Sequence, residues 1–325
     1  MSNNIKNLAK KVLIVGSGYM ASEYAKVLSS LKVDYEIVGR GLKNCKKMKE
    51  KFSVEVFSGG IENFTTKKDL SKYSHIINTV NIHLLNETTQ ILIKGGAKKI
   101  LLEKPGDLNI SGLKKLSELS NNNDADILIA YNRRFYSSVV NLKKLVKNDG
   151  GILSVHFDFT EWIHKINPAK YDKKSLKKWI MCNSSHVIDT VFYLIGIPKS
   201  LNSYAFGEKK IEWHPNASAF LGFGVSEKNI PFTYHSNWQS SGRWSIKVLT
   251  KSGTYYLEPL EILKKQEIGS INIEKINLNY SYDENFKPGI YNQVNNFIRN
   301  NFDDFCTIKD QLNMTKYVFN KIANY

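Results

Sequence analysis

Little cysteine, a shortage of acidic residues and no long apolar run are the first marks of this chain of 325 residues. Its three cysteines, Cys45, Cys182 and Cys306, are widely spaced and odd in number, which supports neither a disulfide framework nor a zinc motif, and no metal site is expected. A reducing, cytoplasmic compartment fits that usage. Nothing approaches the roughly 18 consecutive apolar residues of a membrane helix. Residues 1–11 are polar and lack the apolar core of a secretory signal. Against 46 Lys and Arg stand only 30 Asp and Glu, a net charge of +16. Alone, that surplus would point to nucleic acid or another polyanion. Yet no five or six cations run together, and the lysines are scattered through amphipathic stretches such as 111–118 and 141–147. The surplus therefore reads as a solvated surface that steers anions, with neither nucleic acid nor membrane as partner. There is no internal repeat and no low-complexity segment.

The composition, 42% hydrophobic and 23% charged, is that of a globular protein. The length exceeds the roughly 100 to 200 residues of one domain, so two are expected. Up to about residue 130, apolar runs at 12–15, 35–38, 54–57, 76–80, 100–102 and 127–131 alternate with helical spacing at 21–31, 42–51, 84–95 and 111–120. That alternation predicts an α/β unit with a doubly wound parallel sheet over 1–130. Beyond it, alternating runs at 153–160, 218–225, 232–238 and 245–250 predict a second α/β domain over 131–325 with a large, mostly antiparallel open sheet. A helical stretch is expected over 174–195, stopped by Gly196 and Pro198, and two closing helices over 290–299 and 308–323.

The strand at 12–15 runs into Gly16-Ser17-Gly18-Tyr19-Met20-Ala21. This fits G-x-G-x-x-A: a glycine for the turn, a second that lets backbone approach phosphate, and a small residue for helix–strand packing. A helix beginning there offers free N–H groups and a positive dipole end to a pyrophosphate. At the end of the second strand, Gly39-Arg40 stands where NAD enzymes place an acid, so Arg40 favours the 2′-phosphate of NADP over NAD. In the other reading Arg40 is a solvated loop cation, and Glu36 or the backbone handles the ribose.

Five segments then occur in order: the glycine turn, Glu103-Lys104-Pro105, Tyr131-Asn132-Arg133-Arg134-Phe135, His186-Val187-Ile188-Asp189, and Phe286-Lys287-Pro288-Gly289-Ile290-Tyr291-Asn292-Gln293. Over essentially its whole length the chain thereby resembles the Gfo/Idh/MocA family of NAD(P)-dependent oxidoreductases. The resemblance implies that Lys104 lies beside the nicotinamide and hydrogen-bonds the reacting sugar hydroxyl, with Glu103 close to the cofactor and Pro105 in a turn that is often cis. It implies that His186 exchanges a proton with that hydroxyl, work its intrinsic pKa suits. Asp189, one turn on, either orients the His186 ring or serves as a structural partner elsewhere. Tyr19, Met20, Val80, Asn81 and His83 resemble the family's cofactor-side loops, although Val80 replaces a usual proline and the histidine is shifted by a residue.

In one place the chain departs from the pattern. Four residues before the histidine the family commonly carries an aspartate that pairs with the lysine; here that position is Cys182. Asn183 or a remote carboxylate would have to substitute, unless Asn183-Ser184-Ser185 caps a fresh helix and undoes the spacing. Cys182 itself reads as a small buried residue. Candidate substrate contacts are Arg133, Arg134, Trp162, His164, Asn183, Trp238 and Arg243, side chains suited to a polyhydroxylated ring. The resemblance implies hydride transfer to or from a sugar, amino sugar or nucleotide-sugar, with a role in building a surface polysaccharide or unusual sugar, and a homo-oligomer, dimer or tetramer, formed through the open sheet. The missing aspartate motivates an alternative, a cofactor-binding redox sensor or regulator without turnover.

Overall fold

A computed structural model describes residues 11–325; residues 1–10, within the segment read as lacking a secretory signal, lie outside the described residues. The chain divides into two compact units, Met1–Asn132 with Tyr282–Leu312, and Arg133–Ser281 with Asn313–Tyr325.

In the first unit the apolar runs become six parallel strands: β1 (Val12–Val15), β2 (Tyr35–Val38), β3 (Val56–Phe57), β4 (His75–Asn78), β5 (Lys99–Leu102) and β6 (Asp126–Ile129), in the order β3-β2-β1-β4-β5-β6. All four side chains of β1 are buried, as a central strand covered on both faces requires. The helices Tyr19–Ser30, Leu42–Phe52, Gly60–Thr65, Leu85–Lys94 and Ile110–Asn122 lie in the crossovers. Register fixes where the loops leave: Val15 pairs with Val38 and with Asn78, and Asn78 pairs with Leu102. The segments after β1, β2, β4 and β5 thus emerge on one edge, the carboxyl edge where open α/β sheets bind ligands.

The expected division at 130/131 needs correction for residues 282–312, which return to the first unit. Packing and pairing bring them back. Ile290, Val294, Phe297 and Ile298 of the helix Ile290–Ile298 are fully buried, the Gln293 side chain comes within 3.4 Å of the Tyr24 hydroxyl, and the two-residue strand Cys306–Thr307 pairs antiparallel with the edge of β6.

The second unit holds an eight-stranded sheet: β7 (Ser154–Asp158), β8 (Pro198–Phe206), β9 (Ala219–Ser226), β10 (Pro231–Asn237), β11 (Ser245–Leu249), β12 (Gly253–Leu257), β13 (Leu263–Glu267) and β14 (Glu274–Lys275), ordered β14-β13-β12-β11-β7-β10-β9-β8. Only β7 and β10 pair in parallel. One face buries Phe157, Phe220, Phe232, Ile246 and Val248 beneath the helix Ser185–Ile195, whose Phe192 meets Phe232 edge-on at 5.1 Å. The opposite face stays open, with Tyr204, Phe206, Leu221 and Phe223 exposed on β8 and β9.

The helical stretch expected over 174–195 is broken. The Asp172 carboxylate accepts from the Lys174 and Ser175 N–H groups at 3.0 Å and starts a short helix, Lys173–Lys177. A π-helical turn follows at Ile180–Ser184, leading directly into Ser185–Ile195. The stretch 308–323 is likewise interrupted, by a π turn at Thr315–Phe319. Among the described residues no helix is long and apolar enough to cross a membrane, and no cluster of His, Cys, Asp or Glu could hold a metal. All three cysteines are buried.

Candidate functional site

On the carboxyl edge of the first unit, the loops after β1, β2 and β4 enclose a groove of about 320 Å³. Gly16 makes the first turn at φ +121°, where a Cβ would strike the Thr79 side chain and approach its backbone to 3.1 Å. Gly18 is glycine for a different reason. Its φ of −91° suits any residue, and a Cβ there would meet nothing within 4 Å, so the missing side chain keeps the groove open rather than relieving a protein contact. The helix Tyr19–Ser30 begins at Gly18 with no side-chain cap and no acid in its first turn. Its leading N–H groups and dipole are therefore uncompensated by the chain, which fits the pyrophosphate of a dinucleotide.

Gly16, Ser17, Gly18, Arg40, Val80, Asn81 and His83, all expected here, line this groove. Tyr19 and Met20 lie on the first helical turn; Tyr19 is 67% exposed with the Lys287 ammonium 5.5 Å above its ring. Glu36, the other reading for the ribose, is buried and engaged by Lys11 at 2.6 Å and by the Tyr73 hydroxyl. Thr79, Gly60 and Glu62 also line the groove and escaped the sequence reading. The Gly59-Gly60 pair after β3 was the available signal.

Glu103-Lys104-Pro105 leaves β5 on the same edge, its Glu103 N–H donating to Asn78 O at 2.9 Å, beside the loop that lines the groove. The Glu103 carboxylate turns inward and accepts from the Tyr24 hydroxyl at 2.8 Å. Burial raises its pKa, opposed by that hydrogen bond and by the charges of Lys104 and Lys287. The Lys104–Pro105 peptide is cis, and the Gln311 amide donates to Pro105 O at 3.1 Å while accepting from the Tyr131 hydroxyl at 3.1 Å. Partners on three elements therefore hold the backbone that carries Lys104.

His186 lies in the first turn of Ser185–Ile195 in the second unit, largely buried, its ring 6.2 Å from that of Trp244. Around Trp244 gather Arg133, 5.0 Å from the ring, and Arg243, 4.6 Å from it. Burial lowers the pKa of Arg133. Arg243 also covers the half-exposed ring of Trp162 at 4.7 Å, whose indole N–H donates to Gly242 O at 2.6 Å, and His164 sits 6.1 Å from Trp162. Asp189 resolves to the structural option: its carboxylate takes two hydrogen bonds from Arg134, at 2.6 and 2.8 Å.

Of the arrangements considered for Cys182, the capped fresh helix does not form, yet the spacing is undone all the same. The π turn shifts the helical register ahead of His186, so counting back four residues does not select one face, and Ser184 caps nothing. A remote carboxylate does reach this turn, that of Glu161. It accepts from the Asn183 amide at 2.9 and 3.1 Å and from the Ser184 hydroxyl at 2.7 Å. Only 2% exposed, it has a pKa raised by burial and moderated by those hydrogen bonds and by Arg243. Nothing in the spacing foretold it, because the pairing spans 22 residues.

No protein-family model and no curated protein sequence matches the chain. Solved structures do. A dehydrogenase from Clostridium difficile superposes with a TM-score of 0.77 at 17% identity, covering 98% of this chain and 99% of its own. A levoglucosan dehydrogenase in complex with NADH and L-sorbose gives 0.75 at 13%, covering 97% and 95%. A UDP-N-acetylglucosamine 3-dehydrogenase from Acidithiobacillus ferrooxidans gives 0.72 at 10%, covering 97% of each chain. The chain shares the fold of these solved dehydrogenases.

Within this shared fold, the second unit brings Arg133, Arg243, Trp162, Asn183 and His186 around Trp244 and Glu161. It does not bring Trp238. That ring, expected among the substrate contacts, is 1% exposed and packed 4.7 Å from His214 and 5.2 Å from Phe220. The correction follows from strand pairing: the residue lies just past β10, and its backbone N–H bonds to Ser218 O, in step with the rows of side chains that form the core. Chemically, the first unit offers an anion-accepting groove with an ammonium on the same edge. The second offers an imidazole among two guanidinium groups, indole rings and a buried carboxylate.

Proposed function

We propose that this chain is an NAD(P)-dependent dehydrogenase or reductase acting on a CH–OH carbon of a sugar, amino sugar or nucleotide-sugar. The observation that carries this reading is the uncapped, acid-free start of the helix Tyr19–Ser30 behind the open Gly18, with Lys104 on the same carboxyl edge. When bound, the nicotinamide supplies or accepts the hydride at its C4. Gly16, Ser17 and Gly18 hold the pyrophosphate, and Arg40 stands beside the adenosine ribose. The Lys104 ammonium donates to the substrate oxygen and stabilises the charge that develops there, while His186 takes the hydroxyl proton or returns it. Arg133, Arg243 and Trp162 hold the polyhydroxylated ring. The reading requires Lys104 and His186 to reach the same substrate oxygen.

The four exposed apolar residues on β8 and β9 form a continuous patch, since Tyr204 pairs with Leu221 and Asn202 with Phe223 on one face of the sheet. That face would support a homo-oligomer. Only three cysteines, widely spaced and odd in number, fit a reducing cytoplasm. Nucleotide-sugars, and with them a place in surface-polysaccharide assembly, agree with the basic surplus of +16.

The test is a panel of nucleotide-sugars, free sugars and polyols assayed with NAD(H) and NADP(H), alongside cofactor binding followed by fluorescence. Turnover of a nucleotide-sugar or amino sugar is the expected result. Activity confined to polyols would remove the substrate class. Cofactor binding without turnover of any substrate would favour the regulatory alternative that the departure at Cys182 motivated.

A further inference from the structure

Arg40 does not face the groove alone. The loop after β3 is stitched to the end of β2, with Gly59 N–H donating to Arg40 O at 3.3 Å and Gly60 N–H to Gly39 O at 3.0 Å. From that loop the Glu62 carboxylate folds back and meets the Arg40 guanidinium at 3.4 Å. Gly60 stands beside the pair. It sits at φ +85°, a conformation that favours glycine, and the Glu62 carboxylate uses the open space beside it, with Oε2 only 2.7 Å from where a Cβ would stand. Both side chains line the groove, and both are open to water, at 62% and 46% exposure.

Resting on the dinucleotide reading above, we propose that Glu62 is a specificity-determining residue of the adenosine-ribose subsite, which lets this chain accept a free 2′-hydroxyl and resist a 2′-phosphate despite Arg40. The charges at this spot cancel. A ribose hydroxyl donates to the Glu62 carboxylate without disturbing the pair, the role an acid at the end of β2 otherwise plays. A 2′-phosphate must draw the guanidinium fork away from Glu62 and then sit beside a carboxylate of its own sign. Water screens both effects, so the discrimination is modest, and one charge change should tilt it. Arg40 alone predicts NADP; Arg40 with Glu62 predicts that NAD is bound at least as well.

Calorimetric titration of the full chain without cofactor, at low salt, with 5′-ADP and 2′,5′-ADP tests this without any turnover. Wild type should bind 5′-ADP at least as tightly as 2′,5′-ADP. Glu62→Gln should tighten 2′,5′-ADP about fivefold while leaving 5′-ADP within about twofold, as expected for one exposed charge. Adding Arg40→Gln should abolish the gain. Equal affinity of wild type and Glu62→Gln for 2′,5′-ADP would overturn the proposal, as would a gain that survives the loss of Arg40. Should wild type bind neither nucleotide, the dinucleotide groove itself would fall, an outcome distinct from the failure of Glu62 alone.

Discussion

His75 makes the first unit sensitive to acid in a way that can be worked out from its surroundings. It is 2% exposed on β4, its ring set edge-on to Phe297 at 4.8 Å. Asn300 Oδ1 lies 3.1 Å from Nε2, and the Ser74 hydroxyl lies 3.1 Å from Nδ1. Asn300 Oδ1 also accepts from the Lys99 ammonium, so Nε2 is assigned as the protonated nitrogen and a second proton on the ring would meet a nearby cation. Burial first, and Lys99 in addition, push the pKa down from 6.5 to about 4. At about 1.4 kcal/mol per unit this displacement amounts to about 3 kcal/mol. Because the folded value lies below the unfolded one, the contribution is complete above pH 6.5 and is lost as pH falls toward about 4. Urea unfolding of wild type and His75→Gln across that window should therefore show the two stabilities converging on acidification by about 3 kcal/mol. The imidazole signal of His75, followed by NMR, should titrate near the same low value. A His75 that titrates near 6.5, or a stability difference constant over the window, would refute the reasoning.

The Arg134–Asp189 pair is buried at both ends, and Asp189→Asn, which removes the carboxylate charge from a buried ion pair, should cost about 3–5 kcal/mol; a loss below about 1 kcal/mol in chemical denaturation would show that other partners suffice. Glu161 has a folded pKa raised by burial, so its contribution is whole below the ordinary carboxylate range and declines as pH rises through the folded value. Glu161→Gln should accordingly gain stability relative to wild type as pH rises; thermal melts with a pH-independent difference would contradict that. For the proposed reaction, Lys104→Gln and His186→Gln should each lower kcat by about 10²–10⁴-fold. Nucleotide affinity should survive both changes, and unaltered turnover in either variant would exclude that residue from proton handling.

The parallel sheet was legible in sequence because its signals are local. A β-branched strand, a glycine turn and a helix of 3.6 period sit side by side at 12–31, and a fully buried strand such as β1 leaves no polar positions to blur the reading. Strands β8 and β13 were harder. Pro198–Phe206 and Leu263–Glu267 are half-exposed and carry lysines and serines, so their alternation is faint and only pairing in the sheet defines them. The breaks at 180–184 and 315–319 have no local marker, since neither glycine nor proline stands there. At the candidate site, the glycines, Arg40, Lys104 and His186 could be named because turn chemistry and order along the chain carry them. Glu62 and Glu161 could not. Each acts on a partner about 22 residues away, Arg40 and Asn183, and one-dimensional spacing holds no record of such an encounter. Trp238 misled for the opposite reason: a tryptophan suits a sugar face and a hydrophobic core equally, and strand register decides between them.

The return of residues 282–312 bears on how the protein is made. A ribosome releases β1 to β6 long before the helix Ile290–Ile298 and the strand Cys306–Thr307 exist, so the nascent first unit waits with its β6 edge unpaired and the surface destined for Phe297 wet. Its final closure comes only when residues 282–312 have emerged. A gene fragment ending at Asn132 would consequently express a sticky half-product rather than a free-standing nucleotide-binding module, and any attempt to isolate that module must graft the late segment back onto it.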